Sequence, residues 1–356
     1  MPPNRPRLLL AALALALAPA ALPAQTVSGT VVHRETGAAV AGAVVRLVDA
    51  AGTRQQAVLS DARGHYTVQA PRPGAYRVLA ERVGYAASWS STLRLAEGEH
   101  VEQRVIIAPA RVLLDMVVAR GRPRACTIRP ENGAQASVVW NEARKALEAA
   151  ELGARRYDYE VRLFRRTLAL PELTVRDSAS WMQSGPSRQP FTTPLERLVS
   201  HGYMENEGDS IVFRAPDAAT LLSDAFLDHH CFSLRVGRGE TAGLVGLVFA
   251  PLRDRRLPDV RGTLWLERET GHLRYVDYSY TGLPFVRSRA DLGGRLEFRQ
   301  VADGGWIVNR WTIRMPLLAR RYERMDPVVT AVVESGGEIV DMRQVSGAAG
   351  QPRPAP

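Results

Sequence analysis

Cysteine and lysine are almost missing from this 356-residue chain. The two cysteines, Cys126 and Cys231, are too few for a disulfide-framed scaffold or a four-thiolate zinc site. Of the 46 basic residues only Lys145 is a lysine. So uniform a preference for Arg reads as the habit of a GC-rich genome, and no nucleic-acid partner is expected from it. Past the N-terminus no stretch approaches the ~18 uninterrupted apolar residues of a spanning helix. None of the seven histidines stands three residues before a Glu, and neither HExxH nor GxSxG occurs. The signatures of zinc peptidases and of serine hydrolases are therefore absent.

The first residues, MPPNRPRLLLAALALALAPAALPAQT, place Arg5 and Arg7 before an apolar run from Leu8 to about Ala18, followed by small residues up to Ala24. This is the order of a secretory signal peptide, too short in its apolar part to span a bilayer. Residues 1–24 are expected to be a cleaved leader, and the rest an exported chain located in the periplasm or at the outer membrane. The formal net charge of +9 suits loose attraction to anionic surfaces. In an oxidising compartment Cys126 and Cys231 are expected to pair with each other.

From Val27 onward, short runs rich in Val, Leu, Tyr and Thr alternate with turn segments such as RETG, DARG, PRPG and AEGE. Seven strands at roughly ten-residue spacing predict a small antiparallel β-sandwich. Ala39 to Ala43, the turn with Ser60, Asp61, Gly64 and Tyr66, and the later Pro73, Gly74, Tyr76, Val78, Gly84 and Tyr85 resemble the carboxypeptidase regulatory-like domain, a transthyretin-like sandwich. Two positions depart mildly: Val40 stands where Pro is common, and Ser60 replaces Thr. The resemblance covers residues 26–108 and implies a fold without catalysis. Tyr66 and Tyr76 are expected on adjacent hairpin strands.

Residues 109–125 read as a linker. A similar apolar segment follows such a domain in TonB-dependent receptors, yet too little chain remains for a ~22-stranded barrel. In residues 126–345 one helix is expected over 135–151, with Val139, Ala143, Ala146, Leu147 and Ala150 on its apolar face and Arg144 paired with Glu148. A second helix is expected over about 217–227. The remaining segments read as strands, including hairpins turning at Glu269-Thr270-Gly271 and at Asp303-Gly304-Gly305. The fold class is thus mainly β: a seven-stranded sandwich plus an α+β domain with a large curved antiparallel sheet and about two helices. That sheet loosely resembles the half-barrel of periplasmic lipoprotein carriers. Residues 346–356 are expected to be a disordered tail.

The stretch Asp228-His229-His230-Cys231 offers four zinc-binding side chains in a row, the same letters that name the DHHC palmitoyltransferases. Consecutive residues cannot converge on one tetrahedral ion, and the membrane spans and Cys-rich domain of those enzymes are missing. No metal or cofactor is expected. A Cys126–Cys231 disulfide fits better; closing a loop of about 105 residues contributes about 4–5 kcal/mol on the chain-entropy view. The candidate binding face comprises Trp265, Tyr278, Tyr280, Trp306, Arg310 and Arg314, an aromatic and cationic set suited to a sugar or an anionic head group. Glu267 and Asp277 could also face each other across a hairpin.

These observations lead to an exported, non-catalytic binding or structural module whose partner is a glycan, a lipid or an outer-membrane or other envelope protein. Two alternatives stand beside it: a lipid or lipoprotein carrier with an apolar cavity under the sheet, and an enzyme whose site in the second domain carries no known motif.

Overall fold

The computed structural model describes residues 25–110, 134–186, 194–207, 210–253, 255–284, 291–319 and 328–345. The expected leader, Cys126 with most of the linker, and the expected tail lie outside these residues.

Residues 25–107 form two facing sheets. One contains β1 (Gln25–His33), β4 (His65–Ala70), β8 (His100–Glu102) and β9 (Val105–Ile107). The other contains β2 (Val44–Asp49), β3 (Val58–Leu59), β5 (Gly74–Glu81), β6 (Ser88–Trp89) and β7 (Leu93–Leu95). Strict alternation is visible in β4, where Tyr66, Val68 and Ala70 are buried and His65, Thr67 and Gln69 exposed. The shared core includes Val27, Val31, Leu47, Val78 and Ile107.

Three details differ from the sequence reading. Nine short strands replace seven, and β8 and β9 run parallel to β1. The run expected as one strand breaks at Gln103, whose backbone crosses so close to Gly29 that a Cβ there would lie 2.0 Å from the Gln103 carbonyl oxygen. Tyr66 and Tyr76 occupy opposite sheets, because the chain changes sheet between β4 and β5. Their hydroxyls donate to the Gln103 and Arg72 carbonyls at 2.5 and 3.0 Å.

The second unit begins with α1 (Ala134–Gly153) and continues through β10 (Tyr157–Ala169), β11 (Thr174–Pro186), α2 (Leu195–His201), β12 (Met204–Glu207), β13 (Ser210–Phe213), α3 (Ala218–Leu222) and α4 (Asp224–His229). Then follow β14 (His230–Val236), β15 (Leu244–Pro251), β16 (Asp259–Glu267), β17 (Leu273–Thr281), β18 (Gly293–Gln300), β19 (Trp306–Ala319) and β20 (Val328–Gln344). Nine of these strands make one antiparallel sheet in the order β11-β10-β20-β19-β18-β17-β16-β15-β14. Both expected hairpins are present, as β16–β17 and β18–β19.

The expected second helix is two helices. Ser223 interrupts it and its hydroxyl accepts from the Phe226 amide at 3.1 Å, while Asp217 caps the first by accepting from Thr220 at 2.7 Å. Helix α2 and strand β12 were not foreseen. The segment Val328–Gln344 is the single strand β20, which passes through Gly336-Gly337 without turning. A Cβ on Gly336 would meet the Phe164 ring at 2.6 Å, and one on Gly337 the Trp311 ring at 2.3 Å. The two glycines make room for rings on opposite faces of the sheet.

The inner face of the sheet carries an apolar row that the register follows from Leu247 through Leu264, Val276 and Leu296 to Trp311. Helix α1 packs on it, and its Val139, Trp140, Ala143 and Leu147 join the same core. That core also takes in Val44, Leu59 and Val83 of the sandwich, so α1 is covered on both sides.

Polar contacts complete this junction. Arg46 and Glu148 meet at 2.5 Å, Glu148 and Arg144 at 2.9 Å, and Arg144 and Glu81 at 2.5 Å. Two cations and two anions thus alternate from sandwich to helix and back. Deeper in, the lone lysine Lys145 is 2% exposed, bonds Glu142 at 2.7 Å and donates to the Tyr85 carbonyl at 2.8 Å. Glu142 accepts from the Gly84 amide at 3.0 Å. The loop with Gly84 and Tyr85 is therefore clamped by one turn of α1. A second touch lies between Gly42 and Gly304, where a Cβ on Gly42 would sit 2.0 Å from the Gly304 oxygen.

Candidate functional site

Antiparallel register sets which side chains share a face, because directly opposed residues point the same way. On the outer face one row runs from Arg162 through Glu338, Arg310, Glu297 and Tyr275 to Trp265. A second places Arg295 between Thr312 and Asp277. A third runs from Arg166 through Glu334 to Arg314. Three of the six expected binding residues, Trp265, Arg310 and Arg314, are thus brought onto one face.

The other three go elsewhere. Tyr278, Tyr280 and Trp306 point into the core with α1. The Tyr278 and Tyr280 rings meet edge to face at 5.8 Å, and the Tyr280 hydroxyl donates to the Arg214 carbonyl at 2.9 Å. Burial pushes both phenols well up. Trp306 packs edge-on against His272 at 5.1 Å. Trp265 lies on the outer face yet is 6% exposed, its ring spread where a side chain on Gly246 would stand and close to Tyr275 at 6.3 Å. The six residues do not make one open groove.

What the outer face does present is a ladder of charges. Arg162 pairs with Glu338 at 2.8 Å; Arg166 and Arg314 share Glu334 at 3.5 and 2.7 Å. Arg295 grips Asp277 in bidentate fashion at 2.6 and 3.2 Å and lies 4.3 Å above the Tyr275 ring. Partial burial would lower the Arg295 guanidinium, but the hydrogen bond and charge of Asp277 raise it. The Tyr275 phenol is raised by burial and then by the Asp277 charge. Arg310, exposed between Glu338 and Glu297 in its row, makes no ion pair or side-chain hydrogen bond among the described residues. It is the open cation of the ladder.

Sequence reasoning passed over Arg162, Arg166, Arg295 and Tyr275. Alternation in β10, β17 and β18 puts each on a definite face, but only the register shows that these faces are shared. Glu267 and Asp277 are not opposed: Asp277 faces Thr263, and Glu267 pairs with Arg274 at 2.9 Å.

The Asp228–Cys231 stretch ends α4 and begins β14. His229 reaches the Ala225 carbonyl at 2.5 Å, and His230 turns into the core. No group of three or more His, Cys, Asp or Glu among the described residues is placed to hold a metal ion. Cys231 lies in β14 and none of the described cysteines is free; its expected partner Cys126 falls outside the described residues. No helix among the described residues is long and apolar enough to cross a membrane.

Comparison with known proteins adds one firm likeness. Among solved structures, the group B streptococcus pilus 2b backbone protein matches with 15% identity over 24% of this chain and 41% of its own, at a TM-score of 0.20. BcpA, the major pilin subunit of Bacillus cereus, matches with 9% identity over 87% and 95%, at 0.20. A carbohydrate-binding candidate from Bacteroides uniformis matches with 9% identity over 73% and 100%, at 0.21. The chain spans about two fifths to one half of the first structures it matches. Superpositions this loose assign neither fold nor function. A search of curated proteins found no match. Residues 26–108, however, match the carboxypeptidase regulatory-like domain family, in agreement with the turn at Asp61 and Gly64, the Gly84-Tyr85 pair and the two-sheet core. That segment is a carboxypeptidase regulatory-like domain.

Proposed function

We propose that the chain is an exported, non-catalytic envelope protein of the periplasm or outer membrane that binds an anionic glycan on the outer face of its large sheet. The observation that carries this reading is Arg310, an exposed guanidinium that has no ion pair or side-chain hydrogen bond among the described residues, in a ladder where Arg162, Arg166, Arg295 and Arg314 are paired. A carboxylate or sulfate on a sugar would complete the row, and the Arg295–Tyr275 stack beside it offers a flat, cationic surface to the ring. Strands lie ~4.8 Å apart, so cations two strands away repeat at about 10 Å, a spacing that suits a charged polymer more than a single small ion. Helix α1 against the inner face supports this reading over a lipid carrier, which needs that face open. The clamp between sandwich and helix supports a rigid presenter, with the regulatory-like domain acting as scaffold.

The test is calorimetric titration of the exported chain with uronate-bearing, sulfated and neutral oligosaccharides at low salt. The charged sugars are expected to bind with an affinity that falls as salt rises, and Arg310→Gln to weaken them about tenfold, the loss of roughly one charge-assisted hydrogen bond. Equal binding of neutral and charged sugars, or unchanged affinity in Arg310→Gln, would remove the reading.

A further inference from the structure

The nine-stranded sheet ends on one side in β11, a strand of 13 residues that pairs with β10 alone among the described residues. Every residue from Thr174 to Ser184 is exposed, so the strand is covered on neither face; Trp181 and Met182 stand 48% and 50% exposed at its middle. The opposite edge differs, for β14 has 7 residues and buries His230 and Phe232. An open edge presents a row of amides and carbonyls to any other strand, and proteins ordinarily blunt it with charge, proline or a bulge. In β11 these devices sit at the ends. Arg176 is the extra residue of a bulge, since Asp177 faces Thr167 while Val175 faces Leu168. At the far end Gly185 takes a φ of 144°, and Pro186 has no N–H to give. Residues 177–184 between them are left unguarded. The Ser178 amide there donates to the neighbouring Asp177 carboxylate at 2.9 Å, a local substitute for a strand carbonyl.

Charge and side-chain size select the occupant. The chain carries a formal net charge of +9, yet β11 holds a single Arg and a single Asp. Two copies that meet along this strand escape the repulsion that the arginine-rich surface imposes elsewhere. A two-fold axis between antiparallel edges sets one residue opposite its own copy and pairs the others symmetrically about it. Centred on Ser180, that symmetry puts Trp181 opposite Ala179, Met182 opposite Ser178 and Gln183 opposite Asp177. Each long side chain then faces a short one, and the Gln183 amide can donate to the Asp177 carboxylate.

We infer that β11 is the dimerisation edge of this chain, pairing antiparallel about Ser180 with β11 of a second copy so that two sheets become one. The axis stands perpendicular to the sheet, which keeps both outer faces on the same side. The row that reaches Arg162 and Met182 in one copy runs on through Ser178 and Arg166 of the other. Pairing over residues 177–183 engages far fewer than the ~20–30 residues a side of a standard interface, so monomer and dimer are expected to exchange.

The experiment is sedimentation velocity of the whole chain from about 5 to about 200 µM. A dimer is expected to grow in over that range. Ser180→Glu, which sets two like charges face to face on the axis, is expected to weaken it at least about tenfold, with urea unfolding unchanged. Ser180→Cys tests the register. Opposed Cα atoms lie ~4.5–5.5 Å apart, within disulfide reach, so mild oxidation is expected to link two copies through this residue, identified by the mass of the linked peptide. Ser178→Cys, whose counterpart lies ~14 Å along the strand, is expected to stay unlinked. A chain monomeric throughout overturns the inference and leaves the edge to a strand of another protein. A dimer indifferent to Ser180→Glu, or Ser178→Cys linking as readily as Ser180→Cys, overturns it too. If Ser180→Glu does not fold, wild-type sedimentation and the two cysteine variants decide. No sugar enters these readouts, so they stand apart from the glycan test.

Discussion

Arg144 of helix α1 and Glu81 of the sandwich stand 2.5 Å apart with their side chains 13% and 5% exposed. Glu148 and Arg46 extend the contact into an alternating row of charge. A pair this well enclosed is costly to break from one side, since the abandoned charge stays out of water. Arg144→Ala is expected to destabilise the chain by about 3–5 kcal/mol, measured by urea unfolding. Replacing both Arg144 and Glu81 by Met and Leu should cost far less than the two single changes together. Full additivity of the two would mean that they do not interact.

The same contact sets an acid limit. Burial alone would raise the Glu81 carboxyl, but Arg144, by charge and hydrogen bond, with Arg54 and Arg46 brings it below the ordinary carboxylate range. A carboxyl lowered in the folded state contributes stability above its unfolded titration and loses it as pH falls through the folded one. The stability curve is therefore expected to drop below about pH 4, and to drop less in Glu81→Gln. An acid limb of equal steepness in both proteins would assign the acid sensitivity elsewhere.

Gly337 is a spatial requirement. Gly337→Val would drive a side chain into the Trp311 ring at 2.3 Å and toward Leu163 at 2.9 Å. An overpacked core costs about 1–3 kcal/mol, despite the better strand propensity of Val. Thermal unfolding reads the loss, and trimming Trp311 to Phe in the same chain is expected to restore part of it.

Pairing of Cys126 with Cys231, the expectation from the sequence, predicts a single linked peptide pair in a non-reduced digest of the protein. Its reduction is expected to cost about 2–5 kcal/mol. Two free thiols in that digest would exclude it.

How far the sequence could be read depended on what its pattern encodes. Turn residues announced both late hairpins, since Gly271 and Gly304 adopt positive φ at the turns. Alternation located the strands, yet not their register, so Tyr278 and Trp265 were grouped although they point to opposite faces. Long-range partners were the hidden part. In α1 the positions of Val139, Ala143 and Leu147 marked one apolar face, and Arg144 was expected to pair with Glu148, but nothing in the pattern showed that Glu142, Arg144, Lys145 and Glu148 meet the sandwich. The available signal was the lone lysine itself. A chain that uses Arg everywhere else keeps a compact ammonium where three donors must fit between a carboxylate and a backbone carbonyl.

That burial has a practical corollary. Because Lys145 is the chain's only side-chain amine and lies sealed between helix and sandwich, amine-directed labels and cross-linkers will find the α-amino terminus alone while the two units stay together. Acylation of Lys145 then becomes a covalent record of each parting of sandwich and helix, accumulating one event at a time and readable as a single modified peptide.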